Sequence, residues 1–453
     1  MNKIKNIAFL IFVFIVNTNE SFGQLSGYDF YKVITIQNSQ VVGAVNLVDF
    51  PVLINHTDLD IRSTGNGGEV ENVNGYDIRF TAADGITLLD HQLEDYNPAI
   101  GSITSWIRIP YLNTFTNTVV RMYYGNSSVS TNSSVPNVWD NNYKGVWHLN
   151  NDNFDGTSNT NDLVSTGTTD ATLAAVSGGQ LFTFNEKLNG GVQTELQIQG
   201  DLTIESWVNF NTLQIGFADN SIMGYGGSAI SAAENHSYKL NITNGNLLRA
   251  FWEYGAGSSQ TTLSSIAAPV VIGSWHHVAF TKDRTSQDVI FYFDGIQLGV
   301  PVAYANETTG GSNGEIFLGE DFLGFDLDGS IDEARVSNIL RSSDWLATSY
   351  NSMNSPGTFY TLGIQILPPA PAACCSPGFG ETINFALFTS NGALSNTGTS
   401  IVTGDVGSDV GAVAGFGIPS ILNGTLYNAD AVTAQAKLDL VIAYNQLILI
   451  PVT

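Results

Sequence analysis

Along most of this chain apolar and polar side chains take turns in short bursts, separated by runs of Gly, Asn, Ser and Asp. Successive side chains of an extended strand point to opposite faces, so each burst predicts a β-strand with one face buried. Residues 31–36, 50–54, 76–80, 105–109 and 119–124 carry this pattern first. Within 105–109, Ile107 and Ile109 face a core while Trp106 and Arg108 face the other side. Residues 202–208 and 274–280 are two further strands, and in 289–298 an apolar alternation meets Asp294-Gly295 and resumes, which predicts a hairpin. Short strands at 384–389, 402–407 and 423–427 follow, and then the period changes. Ala429, Val432, Ala436, Leu440, Ala443 and Leu447 recur at spacings of three and four, which predicts a helix, with Asn428 placed to cap it and Asp430 near its positive end.

Breaks in the pattern divide the chain. Lys3 and Lys5 precede the apolar run 7–16, too short to span a bilayer, and Ser21-Phe22-Gly23 offers small residues before a cut, so 1–23 reads as an export signal. A Ser/Asn-rich linker at 127–137 and a Pro/Ala-rich one at 366–379 separate blocks at 24–126, 138–365 and 380–453. The fold class is mostly β: an N-terminal β-sandwich, then a larger β domain, then short strands with one helix.

The two cysteines, Cys374 and Cys375, are adjacent and cannot staple two distant segments to each other. They are an incidental linker pair, a vicinal disulfide, or partners of cysteines in another region. With 41 acidic against 16 basic residues the formal charge is −25, a field that repels phosphate backbones and concentrates cations, which argues against a nucleic-acid partner.

Three resemblances follow from the motifs. Phe50-Pro51-Val52-Leu53-Ile54, Asp77-Ile78-Arg79-Phe80, Trp106-Ile107-Arg108-Ile109-Pro110 and Met122-Tyr123-Tyr124-Gly125-Asn126 resemble, in order, a bacterial domain of unknown function found at the start of secreted surface proteins. Val146-Trp147-His148-Leu149, the strands named above, and the closing stretches 325–336 and 340–350 resemble a concanavalin A-like, laminin-G-like domain, which implies a jelly roll of two antiparallel sheets. Ser395-Asn396-Thr397-Gly398, Val402-Thr403-Gly404-Asp405-Val406-Gly407, Asn423-Gly424-Thr425 and the helix resemble the front of the bacterial and fungal ice-binding family, which implies a right-handed β-solenoid with one helix alongside. The chain ends soon after that helix, so the solenoid is expected to be truncated, with most of the flat ice face that the resemblance implies missing.

Chemistry is sought among the acids first. Asp326-Leu327-Asp328-Gly329-Ser330-Ile331-Asp332 lacks the acid ladder and closing Glu of an EF-hand. The laminin-G resemblance implies instead a calcium site joining Asp328 and Asp332 to Asp155 and Asp162 of an early Asp-rich loop, two segments supplying oxygen to a hard cation. His276 and His277 are strand neighbours on opposite faces and cannot grip one ion together. A glycoside hydrolase needs two facing carboxylates, and the Glu-x-Asp-x-x-Glu or Glu-x-Asp-x-Glu strand used in this fold is absent, Glu205 standing alone on its strand and Glu315, Glu320 and Asp321 falling in loops. With that pair absent, no catalytic residue is expected. Trp147, Trp207 and Trp275 read as core, while Tyr225, Trp252, Tyr254 and Tyr304 lie where a sugar could stack, although packing is the commoner use of such rings. Thr397, Thr399, Thr403 and Thr425 are the candidates for an ice-matching face.

The expected protein is therefore exported to the cell surface or the medium, non-enzymatic and modular, with glycans or ice as partner and calcium as its cofactor. The alternative is a carbohydrate-binding surface protein whose solenoid fragment does not function.

Overall fold

Strands that alternate in sequence pair wherever both faces find cover, and the middle of this chain covers both. In the computed structural model, which describes residues 24–213, 219–226, 236–254, 259–308, 314–320, 326–367 and 379–448, the chain divides into two compact units at Pro368 and Pro369. The export signal and both cysteines lie outside the described residues.

In the first unit a seven-stranded and a nine-stranded antiparallel sheet face each other as the jelly-roll pattern requires. Leu202, Ile204, Val208 and Phe210 point from the Leu202–Thr212 strand into the core between them, meeting Leu240, Trp252 and Leu318 of the opposite sheet. The expected hairpin is present, Asp288–Phe293 turning through Asp294 and Gly295 to Ile296–Gln297, with Asp294 at φ 50° and Gly295 at φ 74°.

The outer face of the nine-stranded sheet is covered too. Trp207, on the opposite side of its strand from Val208, belongs to a second core with Phe50, Leu53, Ile107, Trp106 and Tyr360. That core holds the N-terminal sandwich, a four-stranded and a three-stranded sheet, against the jelly roll. The blocks 24–126 and 138–365 thus pack as one unit around shared apolar residues. Helix Ser343–Asn354, capped by Ser342, which accepts from the Trp345 N–H, sits in the joint. Ser352 accepts from Leu53 N–H at 3.1 Å and Thr348 from Val42 N–H at 2.9 Å. The strand Tyr360–Leu362 then returns to pair with Phe30–Ile36, and Ile366 exchanges backbone hydrogen bonds with Tyr31. The Ser/Asn-rich stretch is likewise docked, Ser134 accepting from Leu93 N–H at 2.8 Å and Val138 being fully buried.

One irregularity matters for the chemistry. In the strand Asp328–Ser337, Ile331 and Ala334 both face the jelly-roll core although they are three residues apart. The register slips between Glu205/Trp207 and Arg335/Asp332, and Glu333 takes φ 48°. This β-bulge adds a residue, so Asp332, Glu333 and Arg335 all turn toward the N-terminal sandwich.

In the second unit every pairing is parallel. Phe385–Thr389 pairs with Asp405–Ser408, which pairs with Leu426–Asn428, and Ile401–Thr403 pairs with Ile421–Asn423, Val406 facing Leu426 twenty residues on. The helix runs Ala431–Ile448 and buries Thr433, Ala436 and Ala443, whereas Leu440 of the expected stripe is 36% exposed. Its cap is Asp430, not Asn428: Asp430 Oδ1 accepts from Val432 and Thr433 N–H, and Thr433 Oγ1 accepts from Asp430 N–H. An aspartate two residues nearer reaches both free amides, so the helix starts there. No described helix is long and apolar enough to cross a membrane.

Candidate functional site

At one edge of the seven-stranded sheet the strands Val164–Thr166, Lys187–Gly191 and Glu315–Leu318 pair side by side and leave an open groove of about 570 Å³. Asp162, Lys187, Asn189, Glu315 and the backbone of Gly190 and Gly191 line it. Glu315 opens a strand, where a loop is expected from the sequence. Asn189 donates to Glu315 Oε2 at 2.8 Å and accepts from Gly191 N–H at 2.8 Å, which fixes both side chains. Lys187 Nζ lies 3.6 Å from Glu320. Asp162 is exposed, and its Oδ1 accepts from Asp155 N–H at 2.9 Å. A pre-fixed set of carboxylate, amide and ammonium groups on a sheet edge matches the alternating donors and acceptors of a polyol.

The four acids expected to share a calcium ion are differently placed. Asp155 is buried and turned inward, accepting from Val146, Thr157 and Asn161 N–H and from the Thr157 hydroxyl. Asp328 accepts from Asn211 and Thr212 at the start of its strand. Asp332, four residues on, is fully buried and accepts from Val176 N–H at 2.7 Å. Only Asp155 and Asp162 are brought together, and among the described residues the one group of three metal-capable side chains is a different one: Glu94, His148 and Glu333. His148 Nδ1 stands 2.7 Å from Glu333 Oε1 and 3.7 Å from Glu94 Oε2. In the sequence His148 stands in a fold motif, Glu333 in the acid-rich closing stretch and Glu94 in neither, and no local spacing links residues 54 and 185 positions apart.

The histidine pair splits as expected. His276 Nδ1 meets Asp294 at 3.0 Å, and His277 Nε2 meets Glu205 at 3.1 Å on the other face. Glu205 is thus paired; burial opposes its charge, but the His277 hydrogen bond and the Arg335 guanidinium hold it below the usual carboxylate range. Tyr225 and Trp252 are fully buried and Tyr304 is nearly so, packed edge-on against Trp252 at 5.0 Å, so none of these three is free to stack on a sugar. Thr397, Thr399, Thr403 and Thr425 are all exposed. No two of them stack: Thr403 pairs with Asn423, and Thr425 donates its N–H to Asp405.

Comparison with known proteins bears on these regions separately. Residues 185–347 match the concanavalin A-like lectin/glucanases superfamily, and residues 74–167 match a domain of unknown function (DUF2341). The middle of the chain is a lectin-like module. A stretch of 68 residues is 40% identical to an ice-binding protein of Nostoc sp. (strain HG1), covering 15% of this chain and 25% of that protein, so the chain spans about a quarter of that relative's length. Among solved structures, domain 4 of AbnA, a GH43 extracellular arabinanase from Geobacillus stearothermophilus in complex with arabinotriose, is 17% identical over 46% of this chain and 98% of its own, with a TM-score of 0.36. The CBM40 of a Ruminococcus gnavus IT-sialidase bound to alpha2,3 sialyllactose is 16% identical over 41% of this chain and 98% of its own, with a TM-score of 0.32. Both likenesses are loose and carry no functional weight.

Proposed function

We propose that this is an exported carbohydrate-binding protein without catalytic activity, in which the groove around Asp162, Lys187, Asn189 and Glu315 takes the glycan. The observation that carries the reading is the Asn189–Glu315 pair, fixed by hydrogen bonds in a groove on the edge of a lectin-like jelly roll. Its openness to solvent suits a side-on glycan chain bound by several modest hydrogen bonds. Glycan-array binding of the mature chain, repeated with Glu315→Gln and Asn189→Ala, tests it. Each substitution is expected to weaken binding at least about tenfold, the loss of one or two hydrogen bonds to a charged or amide group. Binding that both variants leave unchanged would move the site elsewhere, and turnover of a bound polysaccharide would overturn the non-catalytic reading. Repeating the array with and without calcium tests the cofactor, for which Asp162 is the one expected ligand at the groove.

A second reading rests on the likeness to the Nostoc protein. The parallel ladders at a twenty-residue offset read as successive coils of a solenoid, and Ile401 over Ile421 begins an exposed, regular face. On this reading the second unit adheres to ice. Thermal hysteresis and partitioning of the mature chain into growing ice, both lost on replacing Thr403 and Thr425 with Lys, would support it.

A further inference from the structure

Three side chains from two modules converge behind the β-bulge. Glu94 comes from the strand His91–Asn97 of the N-terminal sandwich, His148 follows the jelly-roll strand Tyr143–Trp147, and Glu333 is the bulged residue itself. One donor atom from each lies within 4.8 Å of the others, and the three side chains are at most 10% exposed.

Around them stands a set of outer hydrogen bonds of the kind that orients metal ligands. His148 Nε2 lies 3.1 Å from Gln92 Oε1. That oxygen already accepts from Trp139 Nε1–H at 2.7 Å, and an indole N–H only donates, so the amide cannot be turned over. Gln92 Nε2 donates to Gly156 O at 3.3 Å, which agrees. The proton of a neutral His148 ring is therefore on Nε2, and the Nδ1 lone pair faces Glu333 and Glu94. Glu94 Oε2 accepts from Trp106 Nε1–H at 2.9 Å, and Glu333 Oε2 accepts from Arg335 at 2.7 Å. Arg335 is itself held over the rings of Trp106 and Trp139, 4.5 and 4.9 Å from their centroids.

A further observation points to a cation site. Glu94 Oε1 is buried with no hydrogen-bond partner, its side chain only 2% exposed, and Asp332 Oδ1 beside it is in the same condition. An unpartnered carboxylate oxygen at that depth costs more than a net hydrogen bond returns.

We infer that Glu94, His148 and Glu333 bind a divalent metal ion of the zinc class, which clips the N-terminal sandwich to the lectin-like sheet. One imidazole nitrogen and two carboxylate oxygens suit a borderline ion such as zinc, cobalt or manganese better than calcium, which prefers oxygen alone.

The test uses the mature chain, purified without affinity metals, refolded with excess zinc or cobalt and dialysed, with metal measured by plasma mass spectrometry. One equivalent per chain is expected, with a visible d–d spectrum for cobalt. Glu94→Gln and His148→Asn should each lose it, and Gln92→Leu should weaken it about 10- to 100-fold by releasing the ring. Near-UV circular dichroism of each variant establishes that the fold survives; if one unfolds, the Gln92→Leu titration decides. No retained metal in the folded wild type, or equal metal in wild type and folded variants, overturns the inference.

Discussion

His91 shows how one buried ring writes a pH dependence. It is 6% exposed, packs against Phe80 at 5.5 Å and meets Ser133 at 3.1 Å. Burial, helped by the Arg79 charge, pulls its pKa from 6.5 down to about 4. Above pH 6.5 folded and unfolded chains are both neutral here and nothing is lost. As the pH falls toward about 4 the unfolded chain binds a proton that the folded one refuses, so stability drops, by an amount on the order of 3 kcal/mol at the lower end. Urea denaturation of wild type and His91→Leu across that window should give curves that converge toward acid; parallel curves would refute the assignment. Glu205 poses the opposite case, a buried carboxylate kept charged by His277 and Arg335. His277→Ala should cost about 3–5 kcal/mol at neutral pH, since it strands a charge in the sheet, whereas the double change with Glu205→Gln should recover part of it.

At the scale of elements, the strand Leu202–Thr212 carries more than its length suggests. One face feeds the jelly-roll core and the other presents Trp207 to the N-terminal sandwich, where it stacks on Tyr350 at 5.5 Å. Trp207→Ala is expected to destabilise by about 3–5 kcal/mol, read from the urea midpoint, with the fold intact. The strand's sequence reads as an ordinary alternation, yet both of its faces are buried. Alternation tells which residues share a face, but not whether the polar-looking face meets water, because Thr203 and Glu205 find partners only across the fold. The bulge at Asp332 and Glu333 was illegible for the same reason: an inserted residue shows only in the register with the neighbouring strand.

For the whole molecule, the described part up to residue 367 is expected to unfold in one calorimetric transition, because the second core runs through both modules. A fragment of residues 24–137 loses the strand Tyr360–Leu362 and the helix that covers Phe50 and Leu53, and should show no cooperative transition. Two independent transitions from the 24–367 chain would mean that the shared core is not shared energetically. The family matches agree with this geometry in one respect: the region matching DUF2341, residues 74–167, runs across the Ser/Asn-rich stretch into the jelly roll.

Read alone, the residues determined the strands of the first two blocks, the hairpin at Asp294-Gly295, the opposed faces of His276 and His277 and the late switch to a helix. All of these depend on local period or turn chemistry, which neighbouring residues set. Tertiary structure decided the rest. Asp155 and Asp332 parted because backbone amides near in space claimed their oxygens, and Tyr225 and Trp252 vanished into a core. Glu94, His148 and Glu333 met because a bulge and a second sheet brought three strands to one point. Such convergence is a property of long-range packing, and no spacing along the chain encodes it.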